Sequence, residues 1–205
     1  MIAIITGDII ASRKLIDQGK WLIPLKNLFQ KWEKNSKDWK LNRGDSFQLE
    51  IKDIESSLRK ALEIKTTIKK TGVVDVRLAI GIGEKTYSGE SISESNGPAF
   101  INSGEKFDSL KKENITLGVK SPWTDFDEEI NLYLKLMGLF MDNWSISSAE
   151  LMQVVLQNPT ATQEEIGKQL GIKQNSVSGR WKRANANEVL AVEKMYCKKI
   201  NSRLR

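Results

Sequence analysis

The stretch from Thr162 to Arg183 restricts the backbone more tightly than any other part of the chain. Thr162 with Glu165 three residues on is the pairing that caps a helix N-terminus reciprocally. Ile166 and Leu170 recur at helical spacing, and Gly167 keeps the surface beside them small. Gly171 stands where a residue of positive φ has to end the helix. Ile172 plugs the turn, and Val177 and Trp181 are spaced to dock a second helix on the first. That arrangement leaves Gln174, Asn175, Ser178, Arg180, Lys182 and Arg183 on the outer face of the second helix. An ordinary helical hairpin shares the apolar spacing. It has no need of the small residue, the turn glycine and the Gln/Asn/Ser/Arg-rich face together.

This pattern resembles the helix-turn-helix of many bacterial regulators and of sigma-factor DNA-binding domains. The resemblance implies that the helix from about Gln174 to Arg183 enters the major groove of double-stranded DNA. Gln174, Asn175 and Ser178 would read base edges, while Arg180, Lys182 and Arg183 would hold phosphates or guanine. Helices at Ser148 to Gln157 and Asn187 to Ile200 would complete a small bundle over residues 145 to 205. Charge agrees with this. From Ser145 onward ten Lys or Arg stand against five Asp or Glu in a chain of net charge +6, so a basic segment sits on a near-neutral body. Without the motif, the same charge would read as a solvated basic tail.

Residues 1 to 120 alternate strand and helix signals. Met1 to Thr6 reads as a buried strand, Trp21 to Lys34 as a helix, and Trp39 to Ile51 as a hairpin turning through Arg43, Gly44 and Asp45. A helix from Ile54 to Thr71 closes at Gly72. Val74 to Gly81 is a strand, Pro98 to Leu110 a helix and Ile115 to Val119 a last strand. The order βαββαβ plus an extra strand predicts the α+β class: a ferredoxin-like sheet with helices on one face, followed by the all-α unit. In such a sheet the first strand lies beside the hairpin, so Asp8 and Asp45 converge at one edge. Two carboxylates at that range repel unless a cation lies between them, and Mg²⁺ is the hard ion they suit. The loop after Asp8 would offer backbone N–H groups to phosphate, with Ser12, Arg13 and Lys14 beside them. The plainer reading makes Asp8 a turn cap and Asp45 an ordinary hairpin residue.

The Asp8 strand, the Gly44–Asp45 turn and the strand from Val76 to the Gly81/Gly83 pair resemble the palm domain of class III nucleotidyl cyclases and related diguanylate-cyclase and polymerase palms. The resemblance implies two Mg²⁺ ions on Asp8, Asp45 and the Ile9 carbonyl, holding a nucleoside triphosphate. One ion would activate the ribose 3′-hydroxyl and the other would neutralise the leaving pyrophosphate. Those cyclases carry an Asn and, four residues later, an Arg on the following helix. This chain has Asn102 and Lys106 at that spacing, one position out of register and with lysine in place of arginine. More closely, Met1 to Lys14, Arg43 to Phe47, Gly97 to Phe100 and the C-terminal motif together resemble the SatD family of bacterial proteins over nearly the full length. That resemblance implies a cyclase-like N-terminal domain joined to a C-terminal helix-turn-helix.

The chain has no histidine and one cysteine, Cys197. Ser-His-Asp and Cys-His catalysis, internal disulfides and nearly every zinc site are thereby removed, and a reducing cytoplasm is the expected compartment. The apolar run at Met1 to Ile5 is broken by Gly7 and Asp8, and Arg13 and Lys14 follow it rather than precede it. It reads as a strand and not as a signal peptide, and no membrane span is expected. Residues 121 to 144 join the halves, with one helix expected from Asp125 to Trp144. Its residues from Ile130 to Met141 are apolar nearly all the way round, so it is covered on more than one side. It is either a buried connector or, the favoured reading, a homodimer interface. Three functions follow: a cytoplasmic DNA-binding regulator with a nucleotide-sensing N-terminal domain, a Mg²⁺-dependent nucleotidyl cyclase or transferase, and a silent protein-interaction scaffold.

Overall fold

A computed structural model describes residues 1–33, 36–42 and 45–204 of the chain. The fold is α+β, and among the described residues it has a five-stranded sheet and eight α-helices. The elements follow in the order β1 (Ile2–Ile10), α1 (Gly19–Trp32), β2 (Trp39–Leu41), β3 (Ser46–Ile51), α2 (Ser57–Lys69), β4 (Asp75–Gly83), α3 (Pro98–Glu113) and β5 (Leu117–Lys120). Five further helices come after them: α4 (Thr124–Met141), α5 (Ile146–Gln157), α6 (Gln163–Leu170), α7 (Gln174–Ala184) and α8 (Ala186–Leu204). The sheet order is β2-β3-β1-β4-β5, antiparallel except where β5 runs parallel to β4. The hairpin pairs Trp39 with Leu49 and Leu41 with Phe47. Arg43 and Gly44, expected at its tip, and Lys34, expected to end α1, lie outside the described residues.

The helices do not share one face of the sheet, as the strand order had suggested. Side chains alternate along β1, so Ala3, Ile5 and Ile9 enter the main core, to which α1 and α2 contribute Trp21, Phe29, Leu58 and Leu62. Ile4 packs with Ala99 of α3 on the other side, and the Thr6 hydroxyl donates to Ser103 of α3 at 3.0 Å. The reason lies in β4. Ala79, Gly81 and Gly83 alternate with Leu78, Ile80 and Ile82, so one face of that strand is nearly bare of side chains. A Cβ on Gly81 would stand 2.1 Å from the Ser103 amide nitrogen and 2.3 Å from the Ala99 carbonyl oxygen. The glycines therefore form the trough in which α3 lies.

The outer edge of β5 is closed by one side chain. The Asn131 carboxamide of α4 accepts from the Val119 amide at 2.9 Å and donates to the Val119 carbonyl at 2.8 Å, so the edge strand presents fewer open backbone groups. From Phe126 through Ile130, Leu134 and Met137 to Met141, α4 turns a single apolar stripe to the core. Its opposite side leaves Leu132, Leu136 and Leu139 exposed, by 57%, 51% and 72%.

Helix α2 lies between the sheet and α5, and every residue from Ala61 to Ile68 is buried. A single apolar cluster consequently runs from Ala3 to Ile200. The boundaries expected near residues 120 and 144 fall at element junctions, and the core passes through both. Polar groups of α2 caught in this layer are paired. Gln153 of α5 donates to the Thr67 hydroxyl at 3.0 Å, and the Lys65 ammonium, with no exposed surface, meets Asp142 at 2.7 Å and Asp75 at 3.0 Å. Among the described residues no helix is long and apolar enough to cross a membrane.

Candidate functional site

The C-terminal helices are set by the features that restrict their sequence. The Thr162 hydroxyl accepts from the Glu165 amide at 3.3 Å, and the Glu165 carboxylate accepts from the Thr162 amide at 2.7 Å. The Thr162 amide and, at 2.9 Å, the Thr162 hydroxyl both donate to the Glu165 carboxylate and hold it below the usual glutamate range. Gly171 ends α6 at φ 65°, and the Ile172 amide donates back to the Gly167 carbonyl at 2.9 Å. Gly167 has no room for a side chain, since its Cβ would lie 2.8 Å from the Ile172 carbonyl oxygen. The next helix, α7, is anchored by buried Val177 and Ala184 and by half-buried Trp181, whose indole donates to Asn187 at 2.9 Å. The Trp144 indole donates to the Ala184 carbonyl at 3.0 Å and fixes the far end.

With that face committed, Gln174, Asn175, Ser178, Lys182 and Arg183 are all exposed. No acidic residue occurs in α7, and its first turn receives no side-chain cap. Arg180 differs from the other five expected DNA contacts. Its guanidinium donates to Glu150 of α5 at 3.1 Å and its side chain is 21% exposed. It braces α7 against α5. Glu150 lies 30 residues upstream, and no local pattern marks it as a partner.

The sheet end is arranged differently from the expected metal site. Asp8 does not follow its strand, because β1 continues to Ile10 and Asp8 pairs with Ser46 on one side and Arg77 on the other. One terminal nitrogen of Arg77 lies 3.2 Å from each oxygen of the Asp8 carboxylate. Burial pushes the Asp8 carboxyl above the ordinary aspartate value, Arg77 and Lys111 pull it back, and the negative charge of Asp45 adds to the rise. Asp45 lies at the same end of the sheet. Its carboxylate accepts the Ser12 hydroxyl at 2.6 Å and its carbonyl accepts the Ile9 amide at 2.9 Å. Ser12 is buried in this bond and the Ile9 amide is used, so neither is free to meet a phosphate. Arg13 and Lys14 are exposed on a single 3-10 turn that follows Ala11, whose φ of 61° is left-handed.

Asn102 and Lys106 do not complete this site. Helix α3 runs against β4 from the Gly83 end, so Asn102 donates to the Ile82 carbonyl at 2.8 Å. Ile82 is five residues from Arg77, which puts it about 17 Å along the strand. Lys106 leans over Gly118 of β5, two strands from Asp8, where burial lowers the pKa of its ammonium. It lines a cleft of about 250 Å³ with Glu113, Glu128 and Lys135. Arg77 is the residue the sequence reading missed. Alternation along Val76, Arg77 and Leu78 puts its charge on the face opposite two core residues, and a charge there needs a partner.

These residues do not fit a pair of Mg²⁺ ions as they stand. Among the described residues no three acidic or cysteine side chains converge as a cation cage. Asp8 is already neutralised by a guanidinium, and Asp45 is held by a hydroxyl. What the sheet end offers is a polar patch with fixed opposite charges. Comparison of the chain with protein families, curated proteins and solved structures returned no match.

Proposed function

We propose that this protein is a regulator that binds double-stranded DNA through α7, with α5 to α8 acting as a helix-turn-helix unit. The sheet that carries it is read as ferredoxin-like, of the palm type, with β5 added beside β4 and α3 laid on the second face. This is the architecture implied by the resemblance to the SatD family. One observation carries the proposal: five of the six polar or cationic residues expected on the outer face of α7 are exposed, and its apolar residues are locked into the bundle. In this reading Gln174, Asn175 and Ser178 meet base edges, Lys182 and Arg183 meet phosphates, and Arg180 positions the helix. The palm-like sheet is read as a sensing domain rather than a catalyst. Asp8 is paired with Arg77 and Asp45 is held by the Ser12 hydroxyl, and the Asn102/Lys106 pair lies away from them.

The test is a titration of selected duplexes at several salt concentrations. Replacing Lys182 and Arg183 together by alanine is expected to lower the slope of log K against log salt by about 2, since each phosphate contact contributes about 0.9. Asn175→Ala is expected to reduce discrimination between sites by about 1–3 kcal/mol while leaving that slope unchanged. Wild-type slope and affinity in the double variant would sink the assignment.

A second copy is part of the proposal. Leu132, Leu136 and Leu139 are spaced four and three residues apart, the seam by which one helix packs along another, and all three are exposed. Two copies would also present paired α7 helices to paired half-sites. Light scattering is expected to give a dimer for the wild type and a monomer for Leu136→Lys. A wild-type monomer at high protein concentration counts against the pairing.

A further inference from the structure

Helices α1, α2 and α5 leave a cleft of about 390 Å³ between them, on the side of the sheet away from α3. Lys20, Asn27 and Lys31 of α1 line it at spacings of seven and four residues, so they form one stripe. Lys70 and Thr67 from the end of α2 and Gln153 from α5 close the other side. No Asp or Glu among the described residues lines the cleft. Among the described residues, none of the three lysines is paired to a carboxylate, although nine lysine–carboxylate pairs occur elsewhere. Gln153 is held in place: its carbonyl accepts Lys70 at 2.6 Å and its amide donates to the buried Thr67 hydroxyl at 3.0 Å. Lys20 and Lys31 are eleven residues apart on one helix, a span of about 16 Å.

Three ammonium groups around one concavity repel each other, and an anion between them turns that repulsion into attraction. Ammonium groups are point-charge donors suited to phosphate oxygens, and amides add oriented donors. We propose that this cleft binds the polyphosphate of a small anionic ligand and that its occupancy tunes DNA binding. The second half rests on the DNA reading above; the first half does not. The link is α5. Gln153 faces the cleft, and Glu150, one turn earlier, holds Arg180 of α7 at 3.1 Å. A ligand that draws Lys70 and Gln153 inward acts on the helix that positions α7.

Calorimetry on the full chain, without DNA or divalent cation, tests the binding. Sodium tripolyphosphate and ATP are titrated separately. Saturable binding at one ligand per chain is expected for at least one of them. Tighter binding of ATP identifies a nucleotide, and equal binding a bare polyphosphate. Lys31→Gln and Lys70→Gln are each expected to weaken binding by about tenfold, the loss of one charge-assisted hydrogen bond. Lys194→Gln makes the same charge change on an exposed part of α8 and is expected to leave affinity unaltered. Absence of saturable binding overturns the proposal, and so does equal weakening by Lys194→Gln. If the cleft variants weaken duplex binding while no small anion binds, the cleft belongs to the DNA backbone instead. Saturating ligand is expected to change duplex affinity by about fivefold or more, and an unchanged affinity overturns the coupling. Failure of the wild type to bind any duplex would remove the DNA reading and leave the anion isotherm intact.

Discussion

Lys65→Met is expected to cost about 3–5 kcal/mol of folding stability, the loss seen when one partner of a buried ion pair is removed. The Lys65 ammonium has no exposed surface and touches three acceptors: Asp142 at 2.7 Å, Asp75 at 3.0 Å and the Thr116 hydroxyl at 3.2 Å. Methionine fills most of the same space, so the variant isolates the charge. Asp75 keeps Lys69 at 3.2 Å, and Asp142 keeps the Thr116 hydroxyl at 2.7 Å. The Asp142 carboxylate then loses its only ion-pair partner among the described residues and stays half-buried beside the core. The cluster ties β4, the segment before β5, α2 and the end of α4 to one atom. Urea unfolding measures the loss as a lower midpoint with an unchanged slope. Combining Lys65→Met with Asp142→Leu is expected to cost less than the two single changes added, because the double variant leaves no orphaned charge. A single variant within 1 kcal/mol of wild type, about the net value of an exposed pair, would mean that the cluster holds nothing together.

Gly81→Ala is expected to be the most damaging one-carbon addition in the sheet. The new Cβ would lie 2.1 Å from the Ser103 nitrogen, 2.3 Å from the Ala99 oxygen and 2.6 Å from the Ser103 Cα. All three are backbone atoms, so no rotamer change relieves the clash and α3 itself must move off the strand. Overpacking a core with flexible neighbours costs about 1–3 kcal/mol, and a loss at or above the top of that range is expected here. Gly104→Ala is the control in the same helix. Nothing lies within 4 Å of its Cβ, and helix propensity predicts a gain of up to about 1 kcal/mol. Thermal melts of the two variants are expected to move in opposite directions. Wild-type melting of Gly81→Ala would contradict the packing of α3.

The Gly81 result also marks where reading the sequence alone goes astray. The Gly81/Gly83 pair resembles the Gly-x-Gly end of a cyclase strand, and in the fold it is the trough for α3. The difference is invisible locally, because a missing side chain says that something comes close without saying what. Features confined to a few neighbouring residues were readable. The capping pair Thr162/Glu165, the turn at Gly171 and the strand alternation in β3 and β4 all lie where their spacing places them. Features that join distant segments were not. Arg77 on Asp8, Glu150 on Arg180 and the two aspartates on Lys65 connect residues 69, 30, 10 and 77 positions apart. In α4 the all-round apolar pattern predicts cover on more than one side, and the fold supplies it on one. Only the fold separates the stripe from Phe126 to Met141, which packs inward, from Leu132, Leu136 and Leu139, which do not.

Helix α2 has a bearing on how a protein of this shape can be inherited. With sheet on one flank and α5 on the other, it gives helices α5 to α8 and the sheet a common wall. These helices do not lift out as a cassette, because a transplant would leave an apolar wall stripped on the donor and unmatched on the recipient.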